Sequence, residues 1–180
     1  GSLGNKSDIE HQSRWHVVWG GGEPTLSPKF KPINEMLLGH PSTYKYRVLS
    51  NSLKYSPELA QRINDPRVQL VTSIDAGTQE TFKLIRGRGS LEQVFANIKR
   101  YSNACPSAEQ ITIKYIVSDE NFGSDQLARF CELVEQHEIR HHLFQISCNF
   151  NQDKPEKPVI LAIYELALRL VELGVGYVFV

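Results

Sequence analysis

Three consecutive glycines, Gly20 to Gly22, run into Glu23 and Pro24 directly after the apolar stretch Val17, Val18 and Trp19. Bare backbone there lets the chain adopt positive φ and lets a second molecule come close to its peptide groups. Phosphate is the common guest of such loops, but the spacing matches neither G-x-x-x-x-G-K-[ST] nor G-x-G-x-x-G. A carboxylate in the loop repels phosphate and pairs with an ammonium through a charge-assisted hydrogen bond. The competing account is a tight strand-to-helix turn, with the glycines solving a steric problem and Glu23 a surface acid. Lys114 is a second chemical candidate. Alternation from Ile111 to Val117 sets Thr112, Lys114 and Ile116 on one face and Ile111, Ile113, Tyr115 and Val117 on the other. A lysine among apolar neighbours needs an anion, from a substrate or from an acidic residue; a snorkelling edge-strand lysine is the alternative. Cys131, His137, His141, His142 and Cys148 place five possible metal ligands within 18 residues. They contain no C-x2-4-C pair, and Cys131 and His137 fall on a packed helix face, so chance clustering is the preferred account. Histidines at a helix end suit its negative pole.

Those residues need elements to position them. Apolar, β-branched runs at Val17 to Trp19, Tyr46 to Ser50, Val68 to Asp75, Ile111 to Ser118, His142 to Ser147 and Tyr177 to Val180 read as strands. Helical signals lie between them: Ser27-Pro28 and Ser56-Pro57 offer an N-cap followed by proline, and Thr78 and Ser124 offer caps for the next two helices. In the segment from Ser124 to Ile139, Leu127, Phe130, Cys131, Val134 and His137 recur at helical spacing, which predicts that this face, Cys131 included, packs inward. Strand and helix alternating five times predict a parallel sheet, either open and doubly wound or curved as a barrel. Ligands of both gather past the carboxyl ends of the strands. Those positions are Gly20 to Pro24, Ser50 to Ser52, Ser73 to Gly77, Ser118 to Asn121 and Ser147 to Asn149, a small, polar rim.

Composition narrows the function. With 180 residues, 41% of them hydrophobic and 22% charged, one globular domain is expected. Lys plus Arg and Asp plus Glu each total 20, so no overall field recruits nucleic acid or an anionic membrane. No apolar run reaches the roughly 20 residues of a membrane span. The three cysteines show no disulfide pattern, and a cytoplasmic setting is expected. The opening GSLG, without Met, reads as a tag, so residues 1–15 are expected to be an extension and residues 16–180 the domain.

With these stretches in hand, the chain resembles the radical S-adenosylmethionine (SAM) enzymes. The matching residues are GGEPTL (Gly21 to Leu26), SNS (Ser50 to Ser52), SIDAGTQETFKLIRGRGSLEQVFANI (Ser73 to Ile98) and IKYIVSDEN (Ile113 to Asn121), in order over about Val17 to Phe150. The resemblance implies an α/β fold of parallel (β/α) repeats, a partial, open TIM-like barrel truncated at its N-terminal end. It implies SAM and a [4Fe-4S] cluster as cofactors and a reductant as partner. The implied chemistry is a 5'-deoxyadenosyl radical that abstracts hydrogen from a small-molecule or peptide substrate. Carried over by position, Gly21, Gly22, Glu23 and Pro24 would hold the SAM amino group. Ser73 would meet its carboxylate or ribose, Arg86 would fork to the carboxylate, and Asn51 and Ile116 would complete the cofactor set. Lys114 would face the substrate in the lumen. Each has a structural alternative: a strand-end hydroxyl for Ser73, a solvated helix residue for Arg86, a turn former for Asn51. Asp75 is expected to start a turn or helix rather than touch ribose.

One family feature is missing. The cluster ligands C-x-x-x-C-x-x-C do not occur, because Cys105, Cys131 and Cys148 are far apart in sequence. No metal ligand or catalytic residue is assigned here. The chain is therefore expected to be an inactive fragment of a radical SAM enzyme; the alternative is a cluster-less α/β domain that binds a ligand or partner. A missing first strand would leave the Val17 to Trp19 strand as an exposed edge prone to self-association.

Overall fold

The computed structural model describes residues 14–148 and 155–180. Six strands alternate with helices: β1 (Trp15–Trp19), α1 (Phe30–Gly39), β2 (Thr43–Leu49), α2 (Pro57–Arg62), β3 (Val68–Ser73), α3 (Gln79–Arg86), α4 (Leu91–Ala104), β4 (Ile111–Val117), α5 (Ser124–Gln136), β5 (Leu143–Cys148), α6 (Lys157–Glu172) and β6 (Tyr177–Phe179). All neighbouring strands are parallel, in the order β1-β2-β3-β4-β5-β6. Right-handed crossovers that always advance by one strand put every helix on the same side, which curves the sheet into part of a barrel rather than winding it doubly. Among the described residues no helix is long and apolar enough to cross a membrane.

The core lies between sheet and helices. On β4 the alternation holds: Ile111, Ile113, Tyr115 and Val117 are buried, and Thr112, Lys114 and Ile116 are only half-buried. The first set meets the helices and the second faces the hollow of the sheet. Phe130 of α5 ties three elements, its ring centroid 6.0 Å from Phe95, 4.9 Å from Tyr115 and 6.3 Å from Phe144. Burying each such aromatic stabilises the fold by roughly 1.5–3 kcal/mol. β1 is an edge strand, with Trp15 and Val18 exposed.

Side-chain caps start three of the six helices. Ser56 Oγ accepts from Leu59 N at 3.2 Å, Thr78 Oγ1 from Thr81 N at 3.3 Å, and Ser90 Oγ from Gln93 N at 3.3 Å. Three expectations need correction. Ser27 does not cap α1: Pro24–Leu26 closes into a 3₁₀ turn, Ser27 spends its hydroxyl on Lys29 N–H at 3.2 Å, and the helix begins at Phe30. Ser124 does not cap α5 either. It is the first helical residue after Gly123, and its hydroxyl donates to Glu165 on α6. Between β3 and β4 there are two helices, because Gly87 ends α3 in the left-handed region and Ser90 starts α4. Leu127, Phe130 and Val134 of α5 are buried, whereas Cys131 is only partly so.

Candidate functional site

The site is built at the carboxyl ends of the first four strands. Gly21 and Gly22 have φ of 83° and 80°, a region costly to any side chain. A Cβ at either would meet nothing within 4 Å, so the backbone conformation, not crowding, calls for glycine. The loop delivers Glu23 to a bridging position. Its Oε1 accepts from Thr25 N at 3.3 Å and Thr25 Oγ1 at 2.6 Å, and its Oε2 from Asn51 N at 2.8 Å. Glu23 thereby caps the 3₁₀ turn begun by buried Pro24 and fastens the end of β1 to the end of β2. Two carboxylate oxygens offer about four acceptor positions, so three protein donors leave room for one more. Asn51 Oδ1 accepts from Leu53 N at 3.0 Å, an Asx turn.

Asp75 joins the next two strands. It is buried with φ of 58°; Oδ1 accepts from Ile116 N at 2.7 Å and Oδ2 pairs with Arg86 Nη2. The same Nη2 donates to Ser73 O at 3.0 Å, and Asn121 Nδ2 donates to both Asp75 O and Ile116 O at 2.9 Å. Burial pushes the Asp75 carboxyl above its ordinary value, while the Arg86 charge, the Ile116 N–H and Lys114 pull it back. The expected turn-starting role is thus replaced by a hub: the side chain reaches across to β4 and α3 instead of to its own following residues. Arg86 is not a free fork, since one of its nitrogens is committed, yet its Nε is buried without a hydrogen-bond partner.

These supports frame a cleft of about 230 Å³ lined by Gly22, Leu49, Ser50, Asn51, Val71, Ser73, Arg86 and Lys114. Five of the residues singled out in the sequence, Gly22, Asn51, Ser73, Arg86 and Lys114, therefore share one wall, with Glu23 bonded directly behind Asn51. Ile116 does not line it. It borders an adjoining cleft of about 440 Å³ with Asp75, Leu84, Ile85, Ser118, Glu120 and Asn121. The Asp75–Arg86 pair forms the boundary, one member lining each cleft. Asn121, whose Oδ1 also accepts from Ser118 N at 2.8 Å, lines the second cleft; the sequence placed it on the expected rim without giving it this bracing role. Asn149 of the expected rim lies outside the described residues. Electrostatically the first cleft carries Lys114 and the Asp75-paired Arg86 on its β3–β4 side, and the Glu23 carboxylate, which does not line the cleft itself, stands next to Asn51 on the β1–β2 side.

The cysteines and histidines lie elsewhere and form no ligand set among the described residues. Burial pushes the Cys105 thiol up and the Cys131 thiol to about 11, which keeps both protonated and poor ligands. His142 is buried; its Nδ1 bonds Ala108 O at 3.0 Å and its Nε2 bonds Ser102 Oγ at 2.8 Å. The carbonyl can only accept, so Nδ1 carries the proton and Nε2 accepts from the hydroxyl. Burial, aided by the charges of His141 and Lys99 and opposed by the Ala108 bond, pulls its pKa down to about 4 from an ordinary 6.5. The unfolded chain binds this proton more readily, so the stability from neutral His142 is full above pH 6.5 and falls as pH drops toward 4. The loss between pH 7 and pH 5 should be about 2 kcal/mol. Urea titrations at the two pH values measure it, and His142→Gln should flatten the slope; a native protein equally stable at both would contradict the burial account.

The profile of the Radical SAM superfamily matches residues 7–131. Mycofactocin maturase MftC of Mycolicibacterium smegmatis is 26% identical over 131 residues, covering 72% of this chain and 32% of the relative. That of Mycobacterium ulcerans is 27% identical over 131 residues, covering 72% and 34%. The chain thus spans about a third of the length of the curated relatives it matches. Among solved structures, a domain of pyruvate-formate lyase-activating enzyme from Bacteroides vulgatus superposes with a TM-score of 0.68 at 16% identity, over 91% of this chain and 96% of that one.

Proposed function

The chain belongs to the radical SAM superfamily, and we propose that it is the SAM-binding part of a radical SAM enzyme. The observation that carries the proposal is the cleft flanked by opposite charges. The amino-acid end of SAM is a zwitterion, with an ammonium and a carboxylate on one carbon. Glu23 has acceptor capacity left for the ammonium, and the backbone of Gly21 and Gly22 lies open beside it, with Pro24 anchoring the loop. Arg86, with an unpartnered buried Nε, and Lys114 supply positive charge for the carboxylate. Ser73 and Asn51 add polar contacts, and Ile116 in the adjoining cleft offers an apolar wall to the nucleoside end. A cleft of about 230 Å³ is below the roughly 300 Å³ of a small-ligand pocket, so both clefts together would hold the whole cofactor.

When bound and reductively cleaved, SAM supplies the radical that takes hydrogen from substrate. The chain's own residues bind and orient. Cys105 at the end of α4, Cys131 in α5 and Cys148 in β5 do not fit a [4Fe-4S] cluster, and the chain alone is proposed to be inactive. The cluster, its reductant, a peptide or small-molecule substrate and a cytoplasmic setting belong to the proposal for the whole protein. So does self-association through the exposed β1 edge.

Glu23→Gln tests the ammonium pole. A hydrogen bond to a charged group contributes roughly 1.5–3 kcal/mol, so SAM affinity in the full-length protein should fall about tenfold to a hundredfold by calorimetry. Every protein partner of Glu23 is a donor, so the new amide must face Thr25, whose Oγ1 can turn to accept while the long 3.3 Å bond from its N–H is lost. Stability should then drop by only about 1 kcal/mol. Unchanged SAM affinity would remove the proposal.

A further inference from the structure

Helix α6 is apolar on two faces. Val159, Ala162, Ile163, Leu166 and Leu170 are buried, as a helix packed on a sheet requires. The other face of such a helix is ordinarily polar. Here it carries Ile160, Leu161, Tyr164, Leu168 and Val171, which are 39%, 57%, 59%, 64% and 58% exposed. Steps of three and four residues align them as one stripe along the helix. No charge interrupts it, because Glu165 and Arg169 turn toward α5, where they pair with each other and bond Ser124. The stripe presents about 500 Å² of apolar surface, at the upper end of what a monomer leaves open.

We infer that this stripe is a dimer interface, in which α6 packs antiparallel against α6 of a second copy about a two-fold axis beside Tyr164. The order of the residues is self-complementary, as a two-fold contact demands. In an antiparallel pair, residues equally far from the axis on opposite sides are level. Leu161 then meets the partner's Leu168, Tyr164 meets the partner's Tyr164, and Ile160 fits between the partner's Leu168 and Val171. The ends match in charge as well. Lys157 opens the helix and Glu172 closes it, both exposed and neither in an ion pair among the described residues. Antiparallel packing sets each Lys157 beside the partner's Glu172, twice per dimer. Parallel packing would put like charges together. Two stripes bury roughly 1,000 Å² before their flanks are counted, the lower bound of a specific interface and a size that suits a dissociable dimer. Each helix runs against its strands, so the antiparallel pair points the carboxyl ends of the two sheets in opposite directions and leaves the clefts of both copies open. The contact is separate from the β1 edge, which lies at the other end of the sheet from β5 and β6.

Sedimentation equilibrium of the 180-residue chain tests this. The native chain should be largely dimeric at about 0.1 mM. Leu161→Glu sets a charge into the apolar contact twice and should weaken association at least about a hundredfold, with the urea midpoint unchanged. Lys157→Glu and Glu172→Lys should each weaken it about tenfold, since each turns two attractions into repulsions. An equimolar mixture of these two variants should recover near-native affinity, because every reversed charge then faces its opposite. Val18→Lys, on the β1 edge, should leave the dimer intact. A native chain that stays monomeric at this concentration, association undiminished in Leu161→Glu, or no recovery on mixing would each overturn the inference. So would a dimer dissolved by Val18→Lys, or a monomer that instead floats with phosphatidylcholine–phosphatidylglycerol vesicles.

Discussion

Asp75→Ala should destabilise the chain by about 3–5 kcal/mol, the cost of removing one partner from a buried ion pair. The carboxylate is 7% exposed and its guanidinium partner 30%, so solvent screens the pair little. Two groups lose an acceptor together, the Ile116 N–H and Arg86 Nη2. Alanine is also less tolerant than aspartate of φ at 58°. With domain stabilities of about 5–15 kcal/mol, the variant stands near the unfolding threshold. Asp75→Asn keeps an acceptor for Ile116 and the tolerance for positive φ but turns its amide N–H toward Arg86, so it should lose only somewhat less. Urea denaturation ranks the two; an alanine variant within 1 kcal/mol of the native chain would mean that the hub is not structural.

Gly77→Ala should be comparably damaging for a different reason. A Cβ there would sit 1.9 Å from Gln126 O, 2.8 Å from Gln126 C and 2.9 Å from Phe130 N, all backbone of α5. No rotamer change relieves a clash with backbone, so α5 must back away, taking Leu127, Phe130 and Val134 with it. Overpacking of this kind costs about 3 kcal/mol or more. Gly22→Ala is the control: nothing lies within 4 Å, and only φ resists the side chain, at roughly 1–2 kcal/mol. Thermal or urea unfolding of both should place Gly77→Ala clearly below Gly22→Ala, and the reverse order would show that the loop, not the helix contact, sets the constraint.

Much of this arrangement was legible in the residues because it follows from local rules. Alternation along β4 located Lys114 on the hollow face, Ser56 and Thr78 cap as their types predict, and the sequential strand order brings Gly22, Asn51, Ser73 and Lys114 to one rim. What was not legible depends on register and dihedral angle. Asp75 reads as a turn residue until β3 is paired with β4, which sets Ile116 N–H above it. Arg86 reads as an open fork until the same hub claims it. Ser27 and Ser124 look like caps by type, yet each hydroxyl found a nearer partner, one in its own turn and one on α6. The missing cluster ligands, by contrast, were a matter of counting.

The sequential order of the sheet also bears on how quickly the chain can fold. Each strand pairs with the strand one β/α unit away, so no strand must wait for a distant partner, and loop-closure entropy is met in small instalments. A nucleus at β3 and β4, where Ile111, Ile113 and the buried face of α4 meet, can grow outward one unit at a time in both directions. The reverse path is the path of opening. β1 and β6, each paired on one side only, should open first and exchange their amide hydrogens fastest, while β3 and β4 should keep theirs longest. The proposed SAM cleft would draw on both regimes. Glu23, proposed for the ammonium, follows the strand that frays, and Arg86 and Lys114, proposed for the carboxylate, stand at strands that do not, so binding of SAM should slow exchange most at β1.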